Sequence, residues 1–156
     1  MGNTCYNDYS LKKQTNKMPI YTLKGDFRCK VVDVYDGDTV TIVLYVNGKY
    51  QKHKLRMYGY DSPEIKPRKN IANREYVIQQ ANLAKNFMKE LVFDKICIFE
   101  SMGFDKYGRL LGNLYLSELF VRGKCVNDLM LENKHGYEYS GGTKKNDPLD
   151  DLIIND

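Results

Sequence analysis

The stretch V40-T-I-V-L-Y-V46-N-G-K-Y-Q-K-H-K-L-R-M57 decides how this chain folds. Val40, Ile42, Leu44 and Val46 alternate with Thr41, Val43 and Tyr45, the period-two pattern of a strand with one buried face. Asn47-Gly48 follows, the strongest short hairpin signal, and returns the chain through a second strand that ends at Met57. Leu55 and Met57 share one face of that strand, so Arg56 points to the other. Just upstream, V34-Y-D-G-D-T-V-T-I42 places Asp36-Gly37 at a turn, where Gly37 supplies positive φ and Asp36 bonds its own backbone. That leaves Asp38 unexplained, a charge at the mouth of a hydrophobic strand.

Working outward, Val31, Val32 and Val34 form the strand before the turn, with order beginning near Phe27. Val77, Ala81, Ala84, Met88 and Leu91 recur at intervals of four and three, which predicts a helix with one core-facing stripe. K95-I-C-I-F99 predicts another strand, L110-L-G-N-L-Y-L116 its antiparallel partner across D105-K-Y-G-R109, and V126-N-D-L-M-L-E132 a short helix. Three strands, a helix, two strands and a helix, without repeats or βαβ alternation, predict a mainly β, α+β fold. The expected architecture is a five-stranded Greek-key barrel of the OB type with two packed helices.

A chain of 156 residues with 42% apolar content fits one domain with a real core. Its formal charge of +4 permits a polyanionic partner without requiring one. The cations are unevenly spread. Residues 1–25 hold Lys12, Lys13, Lys17 and Lys24 against Asp8 alone, and 65–74 hold Lys66, Arg68, Lys69 and Arg74 against no acid. The sequence divides into a flexible basic arm over 1–25, a barrel domain over 26–142 and an acidic tail over 143–156. Four cysteines without a CxxC pair, and only His53 and His135 to help them, argue against structural zinc. Cys97 and Cys125 fall in apolar patterns and read as small core residues.

No apolar run is long enough to span a membrane and no secretory signal stands at the N-terminus, which predicts an intracellular, reducing setting. M1-G-N-T-C5 offers Gly2 for acylation and Cys5 for a second, reversible palmitoyl chain. One lipid together with Lys12, Lys13 and Lys17 makes the two signals that stable anchoring takes. Tyr6 stands where Ser or Thr is usual, so an unmodified basic tail is the competing account. There is no G-x-S-x-G elbow and no P-loop.

A second acidic cluster, D61-S-P-E64, holds Pro63, which keeps Ser62 extended and fixes Asp61, the Ser62 carbonyl and Glu64 relative to one another. If the hairpin brings Asp38 beside Asp61, the two make an oxygen-only pocket suited to a hard cation such as Ca²⁺. Few protein ligands would leave positions open for water and a substrate oxygen. Arg56 and Arg109 flank this pocket in the barrel, and guanidinium groups fork onto phosphate oxygens. Two arginines, a cation and a nearby carboxylate are what phosphodiester hydrolysis requires.

D36-G-D-T39, L55-R-M-Y-G-Y-D-S-P-E64, D105-K-Y-G-R109 and Y137-E-Y139, in this order, resemble the thermonuclease (staphylococcal nuclease-like) family over about residues 26–142. The resemblance implies a calcium-dependent nuclease that cuts DNA and RNA with little sequence preference, metal-bound water being the nucleophile and 3′-phosphates the products. It implies Asp38, Asp61 and the Ser62 carbonyl as calcium ligands, Arg56 and Arg109 as holders of the scissile phosphate, and Glu64 as the general base or the group that orients the attacking water. Lys106 and Tyr107 match positions that contact a nucleotide phosphate, and Tyr137 and Tyr139 match the tyrosine pair lining the nucleotide pocket. Stacking on such rings is indifferent to base identity, which suits low sequence specificity, and the expected partners are DNA and RNA, single strands among them. Three departures stand out: Ser62 replaces the usual threonine, the basic loop after Glu64 follows its own sequence, I65-K-P-R-K-N70, and the tail is too short and too acidic for the third helix of bacterial members. Leu152, Ile153 and Ile154, or a partner, would have to replace it. The alternative is a non-catalytic OB-fold module that binds nucleic acid, but a pure binder has no use for an acidic pocket facing phosphates.

Overall fold

Asn47 and Gly48 both take positive φ, 51° and 77°, and turn the chain into the expected hairpin. The computed structural model describes residues 10–71 and 73–139. In it β2 (Thr39–Val46) and β3 (Lys49–Met57) pair without a break from Thr39↔Arg56 to Val46↔Lys49. β1 (Gly25–Val34) pairs antiparallel with β2 on one side and with β5 (Ile96–Phe104) on the other. β5 pairs antiparallel with β6 (Leu110–Glu118), and β6 closes the circle by running parallel to β3 from Leu55↔Leu110 to Met57↔Gly112. The result is the five-stranded closed barrel of the OB type, mixed α+β, that the pattern predicts.

The inward row of each strand fills the barrel: Val31, Ile42, Leu44, Leu55, Phe99 and Leu114 are fully buried. Helix α1 (Arg74–Val92) buries Val77, Ala81, Ala84 and Met88 as its stripe requires. Leu91 is only half-buried, and Val92 takes the last core position. Helix α2 (Val126–Glu132) inserts Val126 and Met130. Cys29 and Cys97 face each other across β1 and β5 in the core, and Cys97 is the small core residue expected. Cys125 is not; it is half-buried at the entry to α2.

Three short strands lie beyond the pattern. β7 (Val121–Cys125) extends the edge of β6, and β4 (Tyr60–Asp61) pairs with β8 (Tyr137–Glu138). Two-residue strands carry no periodicity to read. The β6–β7 turn runs through Leu119 and Phe120, both at positive φ, with no Gly or Asn to mark it. Order also starts earlier than Phe27: Leu23 is already buried, and its carbonyl accepts the Ser101 hydroxyl at 2.6 Å. Residues 10–22 are exposed. Gly2, Cys5 and the segment Leu152, Ile153 and Ile154 lie outside the described residues. Among the described residues, no helix is long and apolar enough to cross a membrane.

Candidate active site

Gly37 does not do what its place in an Asp-Gly turn suggests. Its φ is not positive. A Cβ there would come within 2.8 Å of both Ala84 Cβ on α1 and Ser62 Cβ, so the position needs a missing side chain because two elements close on it. The packing at Gly37 sets the loop after β1 against the D61-S-P-E64 segment. Asp36 behaves as expected, its Oδ1 accepting the Asp38 N–H at 3.1 Å. The Tyr60 hydroxyl, fully buried, donates to the Gly37 carbonyl at 2.7 Å and ties the two segments again.

Asp38 and Asp61 are thereby brought to one guanidinium. Arg56 Nη1 lies 3.0 Å from Asp38 Oδ1, and Nη2 lies 2.7 Å from Asp61 Oδ1. Strand parity is the cause, since Arg56 leaves β3 on the face opposite Leu55 and Met57 and lies beside Thr39 in the β2–β3 register. Asp38 has further partners. Asp38 Oδ2 accepts the Ser62 N–H at 2.9 Å and the Ser62 hydroxyl at 3.0 Å, while Oδ1 accepts the Thr39 hydroxyl at 2.9 Å. Burial pushes the Asp38 carboxyl up to about 7; Arg56 pulls against this, while Asp36 and Asp61 add to it. Two carboxylates thus share one guanidinium in a place largely closed to water.

Every site residue named from the sequence lines one cleft of about 930 Å³, except Tyr137. Asp38, Arg56, Asp61 and Ser62 form its floor, and Glu64 stands on the rim as an exposed carboxylate. Lys106, Tyr107 and Arg109 come from the turn between β5 and β6. Asp105 builds that turn: its Oδ1 accepts the N–H groups of Tyr107 and Arg109, and its Oδ2 accepts Arg109 Nε at 2.7 Å. Although burial works against it, these bonds hold the Asp105 carboxyl below its ordinary range. The sequence pattern gave no separate reason to assign Asp105 this task, although its place four residues before Arg109 is a visible signal. Tyr139 lines the cleft, but Tyr137 acts from outside it, donating its hydroxyl to Asp61 Oδ2 at 3.2 Å. Their strand β8 pairs with β4, which puts Tyr137 directly across from Asp61. His135 packs on the Phe87 ring, 4.6 Å between centroids, away from this chemistry.

Among the described residues no three His, Cys, Asp or Glu side chains gather around a common point. The oxygen donors brought together here are the two buried carboxylates of Asp38 and Asp61, a hard pair that suits a divalent ion such as calcium and not a soft one.

Comparison with known proteins found two matches. The model of the staphylococcal nuclease homologue family matches residues 54–150. An uncharacterized protein of Methanocaldococcus jannaschii is 33% identical over 127 residues, which cover 69% of this chain and 56% of that protein. The chain therefore spans little more than half the length of this curated relative.

Proposed function

This chain belongs to the staphylococcal nuclease homologue family, which gives it a nuclease or nucleic-acid-binding role, and we propose that it is a calcium-dependent nuclease. It hydrolyses phosphodiester bonds of DNA and RNA with little sequence preference and leaves 3′-phosphate ends. One observation carries the reading: two buried carboxylates, Asp38 and Asp61, converge on the single guanidinium of Arg56 at the floor of a cleft. Nucleic acid would be repelled from such a floor unless a cation intervened.

Asp38, Asp61 and the Ser62 carbonyl would hold the ion. When bound, calcium would neutralise charge on the phosphate and make water a better nucleophile. The protein's own groups do the rest. Arg56 and Arg109 grip the non-bridging oxygens, and because Asp105 already orients Arg109 it meets the developing charge with little reorganisation. Glu64, on the rim, takes the proton from the attacking water. Lys106 and Tyr107 hold a neighbouring phosphate, and Tyr139 offers a ring to a base. Tyr137 positions the Asp61 carboxylate by its hydrogen bond.

Hydrolysis of a fluorescent single-stranded DNA, with calcium or with a chelator, tests the assignment. Wild type should cut only with calcium, and Glu64→Gln should be slower by about 10²-fold or more. Equal rates in all three samples would defeat the mechanism, and binding without cutting would leave the barrel as a binding module.

A further inference from the structure

The outer face of the β2–β3 hairpin carries groups that the hydrolytic site does not use. Between Asp38 and Asp61 the chain has no acidic residue, yet it holds Lys49, Lys52, Lys54 and Arg56. Parity sorts them. With Leu55 and Met57 in the core, Tyr50, Lys52, Lys54 and Arg56 form one row on the opposite face of β3. Their cross-strand neighbours on β2 are Tyr45, Val43, Thr41 and Thr39, none of them charged. Among the described residues, neither Lys52 nor Lys54 forms an ion pair. Lys54 sits over the Tyr35 ring, 5.9 Å from its centroid, and both line the cleft beside Arg56. The row therefore begins inside the cleft. It ends at Tyr50, 79% exposed, which meets Tyr45, 59% exposed, edge to face at 5.2 Å.

Lysines on the part of β3 before Leu55, which pairs with β2 and not with β6, also serve to repel edge-to-edge aggregation. That purpose does not need two large aromatic rings in water, which work against solubility. We propose that this row is a track for single-stranded nucleic acid running out of the cleft. Lys54 and Lys52 take the phosphates beyond the one at Arg56, and Tyr50 stacks a base. Alternate side chains on a strand repeat at about 6.6–6.8 Å, close to one nucleotide of an extended strand, and Arg56 to Tyr50 spans about 20 Å. The track thus adds about three nucleotides to the site. A duplex hides its base faces and cannot use Tyr50. The proposal deepens the nuclease reading and rests on it for the path of the cut strand.

Anisotropy of labelled phosphorothioate dT3 and dT8 in calcium, with salt varied between 50 and 200 mM, reads the track with hydrolysis slowed. Wild type should bind dT8 about tenfold or more tighter than dT3. Tyr50→Ala should lose about tenfold on dT8 while Tyr50→Phe keeps its affinity. Lys52→Gln with Lys54→Gln should flatten the dependence of log affinity on log salt by about 1.4, about 0.7 per lysine, and the Lys→Arg pair should not. The proposal is overturned if dT8 does not bind, if dT3 and dT8 bind alike, or if the Ala and Gln variants match wild type. A duplex that binds as tightly as dT8 and loses as much in Tyr50→Ala also overturns it. Binding as described without hydrolysis would sink the nuclease reading alone; hydrolysis with length-independent binding would sink the track alone.

Discussion

Arg56 and Arg122 each fork between two carboxylates, Arg56 between Asp38 and Asp61 at the cleft and Arg122 between Asp26 and Glu100 on the outside of the barrel. The charges are the same in kind and number. In the cleft the three side chains are 13%, 8% and 5% exposed; outside they are 37%, 47% and 31%. The carboxyls respond in opposite directions. Burial drives Asp38 up to about 7 in spite of its arginine. Glu100 is held below its ordinary range by hydrogen bonds from Asn113, Tyr115 and Arg122. Water completes the balance on the surface, where the fork is a clasp joining β1, β5 and β7. In the cleft water is kept out, and under the proposed function a cation would complete the balance.

The largest test of this difference removes each arginine in turn. In chelator at pH 8, Arg56→Gln should cost about 3 kcal/mol or more, because it strands two buried carboxylates. Arg122→Gln should cost about 1 kcal/mol or less, since its partners keep their water. Urea unfolding of both variants measures the two losses side by side, and similar losses would mean that burial is not what separates the forks.

A somewhat smaller effect sharpens the cation half of the comparison. Calcium at a hundredfold its dissociation constant should stabilise wild type by about 2.7 kcal/mol. Asp38→Asn should gain almost nothing, whereas Arg122→Gln should gain as much as wild type. A thermal shift on Asp38→Asn as large as that of wild type would move the ion to another place.

The cleft fork was far more legible in the sequence than the surface one. Alternation in V40–M57 and the Asn47-Gly48 turn define the hairpin, and parity alone then sends Arg56 away from Leu55 and Met57. Asp38 stood out because a hydrophobic strand gives a charge no reason to be at its mouth. Asp26 and Arg122 are 96 positions apart on polar stretches where nothing distinguishes a paired charge from a solvated one. Their meeting depends on β7, which the sequence hides behind a Leu119-Phe120 turn lacking the usual residues. Gly37 shows a subtler gap: the sequence announces a glycine, but whether it serves φ or close approach depends on Ala84 and Ser62, which only the fold brings near. Tyr137 was visible as one of a pair, but its bond to Asp61 required the two-residue pairing of β4 with β8.

The smallest expected effect concerns the exposed fork and its dependence on pH. Glu100 is lowered in the folded protein, so folding favours its ionised form. Its contribution is fully present above the ordinary glutamate value of about 4.3 and is lost as pH falls through the lower folded value. The stability gap between wild type and Glu100→Gln should therefore be widest near neutral pH, under about 1 kcal/mol, because the group is about one-third exposed and screened by solvent. It should shrink steadily below about pH 4. Urea midpoints of the two proteins measured from pH 7 to pH 3 would show it. A gap that stayed constant, or widened in acid, would mean that Glu100 packs without acting as a charge, and the surface fork would no longer be an ionic counterpart of the one in the cleft.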